Sequence, residues 1–369
     1  MSRTIPYVDL AGQHAPLKAE ILAAVSDCLD QGQFILGPAV THFEQAVARL
    51  CQSEFAVGVG NGTDALVLAL QALRIGPGDE VIVPPNSFVA SATAVRLVGA
   101  VPVFADVGPD YNLDPACVER AITPRTRAIM PVHLTGRPAH MDPLLALARA
   151  FELAVVEDCA QAILAEYRGR RTGSIGQVGA FSLHPLKTLN ACGDGGVITT
   201  SDPELDATLR IDRNLGLKTR DDCVAWRGNS RLDSQQAAIL AVKLRYVESW
   251  TQQRRAHAAA YRELLADLPQ VILPGDDPDI VQVYHTFVIQ AERRDALQDW
   301  LKARGVGTSI HYPIPIHLHR AAADLGYAAG DFPVAERQAA QILSLPVYPE
   351  LRPDDRQYVA EQIRAFYHS

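Results

Sequence analysis

Several features typical of secreted, membrane or metal-binding proteins are missing from this chain of 369 residues. Its six cysteines form no Cys-x-x-Cys pair and lie far apart, which predicts small core residues in a reducing compartment and neither disulfides nor a zinc site. The N-terminus lacks the apolar stretch of a secretion signal, and no run reaches the roughly 18 apolar residues of a membrane span. We therefore expect a cytoplasmic protein without a membrane partner.

An excess of basic residues is also missing. The chain has 34 Lys and Arg against 42 Asp and Glu, a net charge of -8, whereas nucleic-acid-binding surfaces are basic. This charge disfavours a nucleic-acid partner but still allows a few local cations to hold a small anionic substrate. Apolar residues are plentiful at 48%, enough for a sizeable core, and the length suggests one large domain and a smaller one.

Between about residues 55 and 200, short apolar runs alternate with helical stretches. Most of these runs do not alternate polar with apolar residues, which is typical of strands buried on both faces. We therefore predict an α/β fold with a mostly parallel sheet flanked by helices. Seven strands are predicted, at 55–57, 81–83, 101–104, 128–132, 154–156, 180–183 and 197–200. Helices are predicted at 13–30, 40–50, 64–73, 87–98 and 142–151.

Beyond residue 233 the pattern becomes helical as far as residue 268 and is then mixed. Strands are predicted near 286–290 and 307–311, and helices near 294–304, 333–342 and 353–367. No repeat or flexible linker marks a boundary. We predict a large domain that includes the N-terminal helices over 1–245, and a smaller C-terminal α+β domain over 246–369.

A glycine-rich segment from Gly58 to Asp64 follows the first predicted strand and leads into a helix. Glycines let the backbone approach a phosphate, and the free N–H groups of a helix start attract anions. A dinucleotide site needs a different glycine spacing and an acid after the second strand, but here Asp79 and Glu80 precede that strand. A phosphate site and a structural turn both remain possible.

Two further residues stand where ligands commonly bind. Asp158 ends a predicted buried strand, which suits either a ligand contact or a helix N-cap. Lys187 follows another strand among small and apolar residues, where lost hydration would lower its pKa; the alternative is a surface loop lysine. Pyridoxal phosphate (PLP) needs a phosphate cup, a carboxylate for its ring nitrogen and a lysine for its aldehyde. The three motifs together supply all of these.

Four separated segments resemble the DegT/DnrJ/EryC1/StrS sugar aminotransferase family of PLP enzymes. They are Asn61 to Leu66, Glu157 to Gln161, Phe181 to Lys187 and Gly228 to Asp233. The resemblance extends from Phe34 to Pro346. It implies fold type I, the aspartate aminotransferase fold. One branch of the family has histidine in place of the lysine and dehydrates its sugar; because Lys187 is present here, the resemblance favours amino transfer.

The resemblance also implies roles for single residues. Lys187 would form the Schiff base and act as general base and acid, and Asp158 would pair with the pyridinium nitrogen. Phe88, otherwise a core residue, would stack on the ring. The other implied cofactor contacts are Gln161 near the phenolic oxygen, and Gly62, Thr63, Ser182 and Asn229 at the phosphate. Asn229 would come from the neighbouring subunit, which implies a homodimer with shared sites.

The family acts mostly on nucleotide-linked keto sugars with L-glutamate as the amino donor, and such substrates carry a diphosphate. Arg231 is the candidate cation for it, or else a solvated surface residue. His311 and Tyr312 resemble the His-Tyr-Pro loop of members that aminate C-3 of a sugar, so they would line the substrate pocket and favour a 3-keto over a 4-keto sugar; a structural loop is the alternative. Whether His317 and His319 touch substrate is open.

Three histidines in that loop have no acid or cysteine near them in sequence, so no metal is expected. Two other functions remain possible: amination of a keto cyclitol on the same scaffold, and a non-catalytic regulator. The regulator is disfavoured, since no cofactor residue is missing and no basic DNA-binding segment is present.

Overall fold

The computed structural model describes residues 3–369. Its α-helices in chain order are α1 Leu10–His14, α2 Lys18–Gln31, α3 Pro38–Leu50, α4 Gly62–Ala72, α5 Ala90–Leu97, α6 Pro115–Ala121, α7 Met141–Ala150, α8 Pro203–Asp212, α9 Ser234–Leu244, α10 Val247–Leu265, α11 Arg294–Ala303, α12 Pro333–Gln341 and α13 Pro353–Tyr367. Short 3-10 helices cover Ala15–Leu17, Leu134–Gly136, Ile316–Leu318 and Arg320–Leu325.

The strands in chain order are β1 Phe55–Val59, β2 Glu80–Val83, β3 Val101–Phe104, β4 Thr126–Ile129, β5 Ala154–Asp158, β6 Glu166–Tyr167, β7 Arg170–Arg171, β8 Val178–Ser182, β9 Gly196–Thr200, β10 Leu217–Thr219, β11 Asp222–Cys223, β12 Val271–Ile272, β13 Ile280–Val281, β14 Phe287–Ala291 and β15 Ile342–Leu345. Within residues 3–369, seven of them form one sheet in the order β1-β9-β8-β5-β4-β2-β3. Only β9 runs antiparallel to its neighbours in this sheet. This arrangement confirms the predicted mostly parallel sheet.

Both faces of this sheet are buried. Val81 and Val83 of β2 belong to one apolar cluster with α4 and α5. Ile82 between them packs into a second cluster, which contains residues of α6 and α7. Because successive side chains of a strand point to opposite faces, a strand covered on both sides has no polar alternation. That explains the uninterrupted apolar runs of the sequence.

The structure corrects the limits of several predicted elements. The predicted helix 13–30 is interrupted, since α1 ends at His14 and a 3-10 turn containing Pro16 precedes α2. The predicted strand 128–132 ends at Ile129, because Pro131 has no N–H to donate. Val132 forms only an isolated bridge with Asp158.

The predicted helical stretch 234–268 is two helices, α9 and α10, separated at Arg245 and Tyr246. The side chains of both residues bind Glu20 of α2. The sequence has no helix breaker at this point, so the pattern of apolar residues does not show the division. The division instead coincides with these contacts to α2, which lies more than 200 residues earlier in the chain.

The C-terminal part has its own core. Strands β12, β14 and β15 form an antiparallel sheet, and Ile5 packs into the same apolar cluster as residues of α10, α11 and α13. The predicted strand 307–311 is wrong for the part of the chain that the structure describes. Gly307 pairs with Ile5 and Ser309 pairs with Ser344, so consecutive positions contact different partners and build no ladder. The limits 1–245 and 246–369 stay a prediction.

The thiols agree only in part with the sequence interpretation. All six are free, but Cys192 and Cys223 are exposed, so these two are not core residues. Among residues 3–369 the structure contains no helix that is both long and apolar enough to span a membrane.

Candidate active site

A cavity of about 380 Å³ lies at the carboxyl ends of β5 and β8, next to the start of α4. Ligands of open α/β sheets bind at this kind of edge. Nine of its lining residues were predicted from the sequence: Gly62, Thr63, Phe88, Asp158, Gln161, Ser182, Lys187, His311 and Tyr312. The fold therefore gathers residues from 62 to 312 around one space.

The glycine-rich segment forms one end of the cavity. Asn61 caps α4 by accepting the N–H of Asp64 at 2.9 Å, and this leaves the N–H groups of Gly62 and Thr63 in the first turn without helical partners. A Cβ on Gly62 would lie 2.6 Å from the Cβ of Ser182. Glycine is thus needed for the helix start to meet the end of β8, and the free N–H groups suit a phosphate.

Asp158 is buried and firmly oriented. Its Oδ2 accepts the Ser91 hydroxyl at 2.8 Å, and its Oδ1 accepts the N–H of Ala160 at 3.1 Å. Ser91 in turn accepts a hydrogen bond from the Ser87 hydroxyl at 3.1 Å. The N-cap interpretation of Asp158 is wrong, since turns and no helix follow it. The carboxylate is held for a partner in the cavity.

Lys187 follows β8 by five residues and reaches into the same cavity. Burial lowers the pKa of its amine to about 8, and the nearby Asp158 carboxylate only partly offsets this. The surface-lysine interpretation does not fit such a pKa. A lysine in this setting supplies a neutral amine at mildly alkaline pH, as covalent catalysis requires.

Three lining side chains from distant segments, those of Phe88, Gln161 and Tyr312, lie together in the cavity wall. Gln161 accepts the N–H of Thr135 through Oε1 at 2.7 Å and contacts the Tyr312 hydroxyl through Nε2 at 3.4 Å. The ring of Phe88 lies 5.6 Å from that of Tyr312, and its side chain is 55% exposed, so it is not a core residue. Phe88 and Tyr312 thus frame the cavity mouth.

His311 is held by the Ser344 hydroxyl, 2.9 Å from its Nδ1. Burial and the neighbouring Lys187 cation lower its pKa to about 4, so the ring is neutral at physiological pH. A neutral imidazole can exchange hydrogen bonds with hydroxyl groups without adding charge.

Some lining residues were missed by the sequence reasoning. Ser91, which holds Asp158 without lining the cavity, was missed as well; it stands in the first turn of α5, and Ser87 lies in the turn before that helix. His285, His184 and Asp194 also line the cavity. Nothing local in the sequence distinguishes His285, which reaches the site only through the packing of the C-terminal part.

Asn229, Arg231 and His317 do not line this cavity within the described chain. Asn229 is exposed, and Arg231 donates to the Asn214 side chain at 3.1 Å. His317 is buried away from the site, with its Nε2 3.1 Å from Glu336 and its ring against Phe332. The roles of Asn229 and Arg231 stay predictions.

His133, Glu157 and Cys159 lie close enough together to suggest a metal site. However, Glu157 already accepts hydrogen bonds from His133 and from the N–H groups of Gly173, Ile175 and Gly176. A buried carboxylate with four donors is satisfied without a cation. The cluster therefore fixes the strand end that carries Asp158.

The cavity residues fit PLP. The start of α4 with Ser182 would hold its phosphate, Asp158 its ring nitrogen, and Lys187 its aldehyde carbon. When bound, this cofactor supplies an aldehyde and a ring that accepts electrons. Lys187 can take up and return a proton, and Asp158 offers a carboxylate that two hydrogen bonds keep in place. The fold and these side chains define a PLP-dependent enzyme of fold type I.

Comparison with known proteins identifies the family. The model of the DegT/DnrJ/EryC1/StrS aminotransferase family matches residues 16–364, and the chain belongs to this family. It is therefore a PLP-dependent aminotransferase, and the resemblance noted in the sequence is confirmed.

Several known proteins are similar to this chain over nearly its whole length. The dTDP-3-amino-3,4,6-trideoxy-alpha-D-glucose transaminase of Streptomyces venezuelae is 47% identical over 361 residues, 98% of this chain and 95% of the relative. The UDP-N-acetyl-3-dehydro-alpha-D-glucosamine 3-aminotransferase of Acidithiobacillus ferrooxidans is 46% identical, covering 99% and 98%. The crystal structure of S. venezuelae DesV in complex with a ketimine intermediate superimposes with a TM-score of 0.98 at 46% identity, covering 100% of both chains.

The lowered pKa of Lys187 predicts how the apoenzyme takes up PLP. Only the neutral amine attacks the aldehyde, so the rate constant for uptake should rise with pH up to about 8 and then level off. An ordinary lysine would give a rise that continues toward pH 10.5. Stopped-flow absorbance of PLP added to apoenzyme between pH 6.5 and 10 measures this, and a rise that continues past pH 9.5 would contradict the assigned environment.

Proposed function

We propose that this enzyme transfers the amino group of L-glutamate to a nucleotide-linked keto sugar, with a 3-keto sugar favoured over a 4-keto sugar. The observation that carries this proposal is the meeting of Lys187, Asp158 and the His311–Tyr312 loop in one cavity. The first two residues suit amino transfer, and the loop adds polar groups suited to sugar hydroxyls. Both curated relatives described above are named for amino groups at C-3.

The test is an assay of the purified enzyme with PLP, L-glutamate and a panel of acceptors. The panel contains 3-keto and 4-keto sugars linked to dTDP or UDP, and a free keto cyclitol. We expect amino-sugar formation from a 3-keto sugar nucleotide, measured by mass spectrometry with 15N-labelled glutamate. Amination of the cyclitol alone would refute the sugar-nucleotide proposal, and amination of the 4-keto series alone would refute the C-3 preference.

We further propose a homodimer in which Asn229 of one subunit serves the phosphate end of the other subunit's site, with Arg231 nearby as the cation for the substrate diphosphate. The support is their absence from the cavity of their own chain together with the surface around them. Next to Asn229, Trp226 is 94% exposed and Val224 is 53% exposed. Large apolar side chains in such a patch are typical of an interface.

A hybrid dimer tests this sharing. One subunit carries Lys187→Ala and the other carries Asn229→Ala. If Asn229 acts across the interface, one site of the hybrid has both residues intact, so at limiting PLP the hybrid should show about half of the wild-type activity. Asn229→Ala alone should weaken cofactor retention by about 1 kcal/mol, the value of one neutral hydrogen bond. Sites made within single chains would leave the hybrid without any wild-type site.

A cytoplasmic location is proposed as well. Its support is the set of six free thiols, two of them exposed, which an oxidising compartment would tend to pair or modify. Fractionation of the source cells with activity measured in each fraction tests this proposal, and activity confined to an extracellular fraction would refute it.

A further inference from the structure

A second cavity, of about 270 Å³, lies apart from the cofactor cavity. It forms where the loops after β3 and β4 meet the strands β12 and β14 of the C-terminal part. Within residues 3–369, no residue lines both cavities. The volume is slightly below the roughly 300–1,000 Å³ of ordinary ligand pockets, so the cavity suits a molecule smaller than a nucleotide-linked sugar.

Two buried side chains in its wall have polar atoms without a hydrogen-bond partner in the described chain. Arg137, 9% exposed, donates through Nη1 to the carbonyl of Gly275 at 3.0 Å, but its Nε has no acceptor. Gln282, 7% exposed, donates through Nε2 to the Thr135 hydroxyl at 3.1 Å, but its Oε1 has no donor. Buried polar groups are normally satisfied, so these two atoms indicate a ligand that supplies one acceptor and one donor.

The charges around this cavity offset one another. The Arg137 guanidinium lies between two carboxylates, with Asp110 Oδ2 3.8 Å from Nε and Asp277 Oδ2 3.6 Å from Nη2. Nε2 of His140 lies 3.8 and 3.6 Å from the same two oxygens. These separations are too long for hydrogen bonds but short enough for the charges to compensate. An anion would meet the carboxylates and a cation the guanidinium, so the wall favours a neutral ligand.

Much of the remaining wall is apolar. Tyr111, Leu273 and Val288 line it, together with Ile272, whose side chain is 59% exposed. Ligand pockets commonly combine such an apolar surface with a few polar groups that fix orientation. A lactam or amide on an apolar frame fits this wall, because it carries a carbonyl oxygen and an N–H on one neutral group.

The 3-10 turn after β4 connects this cavity with the cofactor cavity. The Thr135 hydroxyl accepts from Gln282, while the Thr135 backbone N–H donates at 2.7 Å to Gln161, which lines the cofactor cavity. Thr135 has a φ of 62°, an uncommon value for a β-branched residue that persists only where the surroundings impose it. Gly136 is packed tightly beside it, since a Cβ there would lie 2.9 Å from the carbonyl oxygen of Gln161. A ligand that fixes Gln282 therefore also fixes Gln161.

We propose that this second cavity binds a neutral small molecule with a lactam or amide group, and that its occupation stabilises the position of Gln161 so that PLP is released more slowly. The Nε–H of Arg137 donates to the carbonyl oxygen of this ligand, and Oε1 of Gln282 accepts its N–H. By thermodynamic linkage, bound PLP strengthens the binding of the ligand in turn. Neither the amino donor nor the sugar takes part, so binding at this cavity can be tested independently of the proposed function.

The alternative occupant is water, which can also satisfy both free atoms. A cavity that holds water only would show no saturable binding of an organic probe. It would also have no effect on the release of the cofactor.

The probe is oxindole, a lactam on an apolar ring, and saturation-transfer NMR with the holoenzyme measures its binding. We expect a Kd in the millimolar range, as for other small fragments. N-Methyloxindole lacks the N–H for Gln282 and should bind about fivefold more weakly, which corresponds to one hydrogen bond. Phenylacetate is of similar size but anionic, and it should not displace oxindole. Absence of saturable oxindole binding up to about 10 mM, or displacement by phenylacetate, would overturn the proposal.

Variants show whether the probe occupies this cavity. Gln282→Leu should weaken oxindole about fivefold but cause no further loss for N-methyloxindole, which never used that acceptor. Ile272→Ala removes part of the exposed apolar wall and should weaken both probes about threefold. Leu97→Ala is the matched control, because Leu97 is 62% exposed on α5 and does not line this cavity. Oxindole affinity that is equal in all three variants would overturn the site.

Release of PLP from the diluted holoenzyme, followed by absorbance, tests the connection to the cofactor. Saturating oxindole should slow the release about fivefold, the lower end of typical coupling between two sites. Thr135→Val keeps the shape of the side chain but cannot accept from Gln282, so the effect should disappear. Thr135→Ser keeps the hydroxyl and should preserve the effect. An unchanged release rate in the wild type, or an effect that persists in Thr135→Val, would overturn the proposed coupling.

Discussion

Replacing Lys187 by alanine is expected to abolish amino transfer, with a fall in kcat of more than about 1,000-fold. The variant loses the covalent attachment to PLP and also the group that moves the proton at the reacting carbon. The purified variant should lack the visible absorbance that borohydride removes from the wild type. Steady-state kinetics with L-glutamate and the keto sugar, together with absorbance spectra, measure both effects.

Lys302→Ala is the matched control for this substitution. Lys302 is an exposed lysine on α11 that does not line the cavity, and its replacement should leave spectrum and rate unchanged. Lys187→Ala removes a side chain that makes no hydrogen bond needed by the sheet, so we expect the variant to remain folded. A Lys187→Ala enzyme that stays yellow and active would show that another amine carries the cofactor.

The second large effect is expected from Asp158→Asn. Losing a buried charge partner costs about 3–5 kcal/mol, so kcat should fall by about 100-fold or more. The asparagine can still accept the Ala160 N–H, and the Ser91 hydroxyl can turn to accept from the new amide, so the fold should persist. Kinetics, circular dichroism and PLP content separate the loss of rate from a loss of structure.

Ser91→Ala provides a graded comparison for that prediction. It keeps the carboxylate and removes one hydrogen bond to it, a loss of about 1.5–3 kcal/mol at most. Its rate should therefore lie between those of the wild type and Asp158→Asn. Wild-type turnover in Asp158→Asn, or a larger loss in Ser91→Ala, would contradict the assigned role of the carboxylate.

The local pattern was enough to predict the main sheet and to nominate nine residues that the fold brings together in one cavity. Strands buried on both faces have unbroken apolar runs, and glycine, aspartate and lysine at their ends are recognisable because their chemistry is specific. The pattern was not enough for the strand predicted at 307–311 or for the division between α9 and α10. In both places the backbone follows contacts with distant segments: Ile5 and Ser344 in one, and Glu20 in the other.

The sequence by itself determined the class of fold, the family and the cofactor, and it predicts Lys187 as the reactive amine, because each depends on residue types at short spacing along the chain. Only the tertiary structure decided how Ser91 orients Asp158 and how burial keeps His285 and His311 neutral. These properties depend on burial and on neighbours far apart in the sequence, such as Ser91 and Asp158 at a separation of 67 positions. Short-range spacing along the chain contains neither kind of information. The role proposed for Asn229 across a dimer interface would depend on a second chain, whose residues neither the sequence pattern nor the fold of one chain contains.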